Sequence, residues 1–136
     1  AGLRQTGRPR DLEELMHQDI SDLQAFYGRP YGVKVRKLIS DRVRGLWPDV
    51  RGMTVMGVGY AAPYLAPYLG EAQRVGALMP AEQGARPWPL GAPGRTVLIE
   101  EDRLPLPDAS VDRLLAVHAI EMSESVRRSL REIWRC

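Results

Sequence analysis

Cysteine is almost missing from this sequence; the single one, Cys136, is the final residue. A disulfide framework is excluded, and a reducing compartment, the cytoplasm, is the expected setting. Histidine is nearly as scarce. His17 and His118 stand far apart, so no cluster of metal ligands forms in the sequence and no metal is expected. No apolar run approaches the roughly 20 residues that cross a bilayer, so no membrane span is expected. The opening AGLRQTGRPR has cations but no apolar stretch behind it, which does not fit a secretory leader. It also lacks an initiator Met, which points to a trimmed or processed start. A strong excess of one charge is lacking too. The net charge of +2 is too small to indicate a nucleic-acid partner.

The 136 residues that are present suffice for one domain with a real core, without staples. Residues 1–10, with three arginines, two glycines and a proline, are expected to be disordered, leaving 11–136 as the domain. Asp11 and Glu14 form a capping-box pattern that opens a helix. Leu12, Leu15, Met16, Leu23, Phe26 and Tyr27 share one face of it, and Gly28 with Pro30 ends it. A second helix is expected from about Tyr31 to Trp47. Its apolar stripe is Val35, Leu38, Ile39, Val43, Leu46 and Trp47, and its cations Lys34, Lys37 and Arg44 read as a solvated face.

The period then changes. Thr54–Val58 is a short apolar run ending in glycine, read as a buried strand. A short helix follows from about Ala62 to Leu69, broken near Pro67 and closed by Gly70. Arg74–Met79, Thr96–Ile99 and Arg113–Val117 read as three more strands. The last helix spans about Glu124–Trp134, with Ser123 as cap and Val126, Leu130, Ile133 and Trp134 turned inward. The Pro- and Gly-rich stretch PAEQGARPWPLGAPGR lies where a crossover helix is expected and is unsuited to one, so it must cover a sheet face irregularly, anchored by Trp88. Two helices followed by strand–loop–helix units predict an α/β domain with a parallel sheet. Its ligand site is expected at the carboxyl ends of the strands, where the strand order reverses.

The stretch VMGVGYA, Val55–Ala61, lies at such a strand end. Gly57, Gly59 and Ala61 alternate there. Glycine permits a sharp turn and a close approach to the backbone, and the start of the next helix adds unpaired N–H groups suited to an anionic ligand. A buried strand that merely turns tightly explains the same residues. Tyr60, Tyr64 and Tyr68 recur every four residues and are expected to pack on the N-terminal helices, with Tyr60 alone able to touch a ligand.

Downstream, EEDRLPLPDASVDRLLAVHAIE, from Glu100 to Glu121, closely resembles a segment of class I S-adenosylmethionine-dependent methyltransferases. The resemblance rests on Glu100, Leu104-Pro105-Leu106, Asp108, Ser110 and Asp112, and continues into LREIWR. With VMGVGYA it spans roughly residues 50–136. It implies a Rossmann-like, mostly parallel sheet with two N-terminal helices, S-adenosyl-L-methionine as cofactor, and methyl transfer to an unknown acceptor. It further implies that Gly57, Gly59, Tyr60 and Ala61 meet the methionine part of the cofactor and that Glu100 reaches the adenine, with Leu104 as an apolar wall. Asp112 is expected to hold a turn. His118, at the end of the fourth strand, is a candidate proton relay, weighed against a packed histidine with its bonds satisfied.

Three departures qualify the resemblance. The acid that usually opens the glycine turn is missing, since Met56 and Gly57 stand there. The acid that grips the ribose hydroxyls is replaced by Met79, with Glu82 or Gln83 nearby. The three further strands of the family fold do not follow, so only its first four are expected. The fourth strand would then carry an open apolar edge that invites pairing, and three explanations stay open: a fragment, a truncated gene product, or half of a homodimer that covers the edge by symmetry. The alternative to a methyltransferase is a noncatalytic interaction or regulatory module that keeps the fold without the cofactor. A nicotinamide-dinucleotide domain fits less well, because GxGxxG is not present.

Overall fold

The computed structural model describes residues 20–81, 88–89, 94–100, 102–120 and 123–136. The N-terminal segment 1–10, the Asp11/Glu14 capping box, Leu12, Leu15, Met16, Glu82, Gln83 and Glu121 lie outside these. The elements run α1 (Ile20–Gly28), α2 (Pro30–Leu46), β1 (Thr54–Gly59), α3 (Ala62–Leu65), a 3-10 turn (Ala66–Tyr68), β2 (Arg74–Pro80), β3 (Thr96–Ile99), β4 (Arg113–Val117) and α4 (Val126–Arg135). All strand pairs are parallel, in the order β3-β2-β1-β4. The chain builds outward from β1 to β2 and β3, then returns to place β4 on the other side of β1. The carboxyl ends of β1 and β4 therefore flank the point where the order reverses, which is where open α/β sheets bind ligands.

The local structure follows the sequence closely. Pro30 is the first residue of α2, a position where its missing N–H costs nothing, and α1 stops two residues earlier at Gly28. Pro67 sits in the 3-10 turn that ends α3, and Gly70 closes the segment with φ +84. Trp88 packs against the core and its carbonyl accepts the Arg95 amide at 2.7 Å, which ties it to the start of β3.

Each sheet face carries its own core, which is why the strands read as apolar runs rather than alternating ones. Val55, Val75, Ala77 and Met79 pack with Ala61, Leu65 and Tyr68 on one face, beneath α2 and α3. Val58, Leu78 and Ile99 pack with Leu104, Ala119 and Cys136 on the other, beneath α4.

Three expectations need correction. In α4, Ile133 packs inward beside Ser129 and Cys136, but Val126, Leu130 and Trp134 are exposed, Trp134 at 92%. The reason lies on the opposite flank. Arg128, Glu132 and Arg135 bind the loop between β3 and β4 and so fix the rotation of the helix. That rotation turns the stripe of residues spaced by four toward solvent. Ser123 does not cap the first turn either. Ser125 holds the cap position, while the Ser123 hydroxyl accepts the Ser125 amide at 3.2 Å and pairs with Ser129 Oγ at 2.8 Å. In the expected stripe of α2, Val43 is buried and Trp47, just past the helix, packs partly buried on the same core, but Leu38 and Leu46 are mostly exposed. The helix seats through Gly32 and Val43 against α1 and α3, so the stripe lies to one side of its contact face.

β4 is an edge strand among the described strands, as expected. No helix among the described residues is long and apolar enough to cross a membrane. No group of three or more potential metal ligands occurs among them either.

Candidate functional site

The two strand ends at the reversal point are joined directly. The Tyr60 amide donates to the Val117 carbonyl at 2.8 Å. Gly59 turns the chain with φ +84, and a Cβ on it would strike the Val117 carbonyl and lie 2.9 Å from the Ala119 Cβ. Both features require glycine. Gly57 is small for a different reason. A Cβ there would meet the Ala61 Cβ and stand 2.7 Å from Leu65 Cδ1, so its absence lets α3 settle on β1. The gaps the glycines leave are thus filled by the chain itself. The Tyr60 N–H, expected to greet a ligand, is already engaged. Ala61 is fully buried and its carbonyl accepts the Tyr64 and Leu65 amides that start α3.

Beside this turn, His118 leaves β4 with φ 50, a conformation uncommon for a residue with a side chain. Its ring meets a group of tyrosines. Tyr64 Oη donates to Tyr27 Oη at 2.9 Å, and Tyr27 Oη lies 2.9 Å from His118 Nε2. Tyr27 also stacks on Tyr60, with centroids 5.2 Å apart and planes 12° from parallel. Tyr64 stands edge-on to Tyr27 at 6.0 Å. Burial, reinforced by the bond to Tyr27, pushes the Tyr64 hydroxyl above the usual tyrosine range. His118 is therefore a bonded, packed histidine at the site, and the tyrosines do pack on the N-terminal helices as their spacing indicated. Tyr68 does so separately, against Trp47 and beneath the Arg44 guanidinium, 4.5 Å from its ring centre.

Tyr27 itself was not singled out by sequence as a site residue. It reads only as one more member of an apolar helical face, and nothing local links it to His118, 91 residues on.

The remaining candidates lie along the other strand ends. Met79 is packed in the core at 4% exposure, so it offers at most an apolar wall and no acceptor for a ribose hydroxyl. Glu100, just past β3, is exposed; its backbone carbonyl accepts the Arg103 amide at 3.0 Å in a tight turn. Leu104 is buried in the second core cluster. Asp112 does the structural work expected of it, since its carboxylate accepts the Thr54 amide at 2.8 Å and its own amide donates to the Thr54 carbonyl at 3.0 Å.

The LPLPDAS segment is clamped from α4. Glu132 accepts the Leu104 amide at 2.9 Å. Arg135 reaches the Leu104 carbonyl at 3.0 Å, the Leu106 carbonyl at 2.8 Å and the Asp108 carboxylate at 2.7 Å. The Arg135 guanidinium and the Leu104 amide together hold the Glu132 carboxyl below its usual range.

Comparison with known proteins agrees with this architecture. A structure assigned as an S-adenosyl-L-methionine-dependent methyltransferase from Methanococcus maripaludis matches 98% of this chain and 62% of its own, at 13% identity and a TM-score of 0.59. A SAM-dependent methyltransferase from Aquifex aeolicus matches 71% of this chain and 56% of its own, at 23% identity and a TM-score of 0.50. A protein assigned as a methyltransferase from an antibiotic biosynthesis pathway of Anabaena variabilis matches 71% of this chain and 40% of its own, at 22% identity and a TM-score of 0.53. At these identities the likeness is one of fold, and the chain spans less than two thirds of each structure. No curated protein matches. The family model for a methyltransferase domain matches residues 55–136, from the start of the glycine turn through the clamped loop to the end of α4. That is more than half of the chain, and with the parallel sheet and its reversal point it places this protein in the methyltransferase-domain family.

Proposed function

We propose that this domain binds S-adenosyl-L-methionine at the β1/β4 reversal point and serves methyl transfer to an acceptor still to be identified. The observation that carries the reading is the Gly59 turn, tied to Val117 and facing His118 across the point where the sheet order reverses. The residues fit the cofactor at two places. The Gly59–Tyr60 turn, whose Tyr60 amide is taken up by Val117, offers the half-buried Tyr60 ring to its amino-acid part. Glu100 offers an exposed carboxylate at the end of β3 that can accept from an exocyclic amine. Leu104 and Met79 contribute apolar walls. When bound, the cofactor supplies an electrophilic methyl on a sulfonium. The chain's share is then to hold donor and acceptor in line, and no general base is required of it. The expected compartment is the cytoplasm, and the open β4 edge together with the exposed flank of α4 supports a homodimer.

A second reading, a noncatalytic module that keeps the fold, draws on Gly57 and Met79. Neither supplies the carboxylate that such sites commonly use, and each bond lost from a buried ribose face costs on the order of 1 kcal/mol. Isothermal titration with S-adenosylmethionine and S-adenosylhomocysteine separates the two. Measurable heat at micromolar ligand supports the cofactor reading, and silence at high micromolar ligand favours the module.

A further inference from the structure

Tyr27 comes from α1, outside the sheet and outside the matched residues 55–136, yet it touches both sides of the reversal point. Its ring stacks on Tyr60, which follows β1, and its hydroxyl bonds His118, which follows β4. The backbone behind it is fixed. Gly32 of α2 is buried against Phe26 and Tyr27, and a Cβ there would stand 2.9 Å from the Tyr27 Cα. The placement of this one side chain is thus set by the packing of the two N-terminal helices.

The hydrogen-bond direction also has a chemical consequence. Tyr27 is buried, and its oxygen already accepts the Tyr64 proton. Its own proton needs an acceptor, and the His118 Nε2 at 2.9 Å is placed to be one. That assignment puts the histidine proton on Nδ1 and occupies the lone pair a general base would need. The far end of the chain of hydroxyls, Tyr64, is buried at 1% exposure, so the chain leads to no solvent and works as a brace rather than a proton wire.

We propose that Tyr27 is a positioning residue of the methyl-donor site, fixing His118 in the Nδ1-protonated tautomer and walling the amino-acid end of the donor with its ring. This inference rests on the cofactor reading above. It extends the site beyond the family match to the N-terminal helices, whose docking then sets donor affinity.

Two measurements test it. Imidazole 15N shifts of the ligand-free protein read the tautomer directly. The wild-type chain is expected to show His118 protonated at Nδ1, and Tyr27→Phe to shift it toward the Nε2-protonated form. A wild-type Nε2 tautomer, or no change in the variant, overturns the brace. Calorimetric titration with S-adenosylhomocysteine reads the coupling. Tyr27→Phe is expected to weaken binding roughly 3- to 10-fold through the lost hydrogen bond, and Tyr27→Leu to weaken it further through the lost ring. Trp134→Ser, far from these groups, is expected to bind as wild type. Equal affinity across wild type, Tyr27→Phe and Tyr27→Leu, with circular dichroism confirming the fold, overturns this inference alone. No heat with the wild-type chain overturns the donor-site reading and this inference with it.

Discussion

The loop from Leu104 to Asp108 and the turn from Gly57 to Ala61 carry the same family likeness, but they are held in different ways. The loop is bound by charge. Glu132 and Arg135 take up its amide and carbonyls, and Asp108 completes the network. The turn is held by close approach. Two glycines let α3 and the end of β4 come within contact, and a stacked pair of tyrosines closes over the top. The motif that identifies the family most clearly therefore secures one face of the sheet. The less distinctive turn is where the strand ends, the left-handed His118 and the tyrosine group converge.

That comparison breaks at its weakest tolerance first. Gly59→Val would combine a positive φ with a Cβ driven into the Val117 carbonyl. Strain and overpacking each cost about 1–3 kcal/mol, so a loss of roughly 3 kcal/mol or more is expected in urea unfolding. An unchanged midpoint would mean that the turn can yield. The charged clamp should respond less. Glu132→Ala leaves the Leu104 amide without its acceptor, for about 2 kcal/mol in the same urea unfolding. Its pH signature has a definite sign. The folded carboxyl titrates below its ordinary value of 4.5, so the stability it contributes is present above that value and is lost as pH falls through the depressed one. Glu132→Gln should flatten this acid limb in unfolding measured across pH, and an identical limb would remove the clamp from the account. Trp134→Ser should change stability least, within about 0.5 kcal/mol, because the side chain is solvent-exposed. If the α4 flank and β4 edge form the proposed dimer, sedimentation should show weaker self-association in this variant. An unaltered distribution of species would argue against that surface.

Much of the fold was legible because its signals are local. β3 and β4 fall on the residues their apolar runs marked, and Pro30, Pro67 and Gly70 act where their backbone restrictions said they would. The rotation of α4 was not legible. An apolar stripe at spacing four names a face but not the polar anchors that decide which face turns inward, and Arg135 finds its partners 27 to 31 residues away. The site was half legible for the same reason. Gly59 announces a turn by itself. The contacts of Gly57 with Ala61 and Leu65, the burial of Met79 and the bond from Tyr27 to His118 depend on how the elements pack. No spacing in the sequence brings Tyr27 and His118 together.

The account's central claim is that the β1/β4 reversal point is the methyl-donor site. Titrating the 15N-labelled protein with S-adenosylhomocysteine and following backbone amide shifts tests it most directly. The account predicts shifts concentrated at Gly57–Ala61, Val117–Ala119, Glu100 and Tyr27, with the clamp residues Glu132 and Arg135 little changed. Shifts confined to α4 and the Leu104–Asp108 loop, or none at high micromolar ligand, would contradict it.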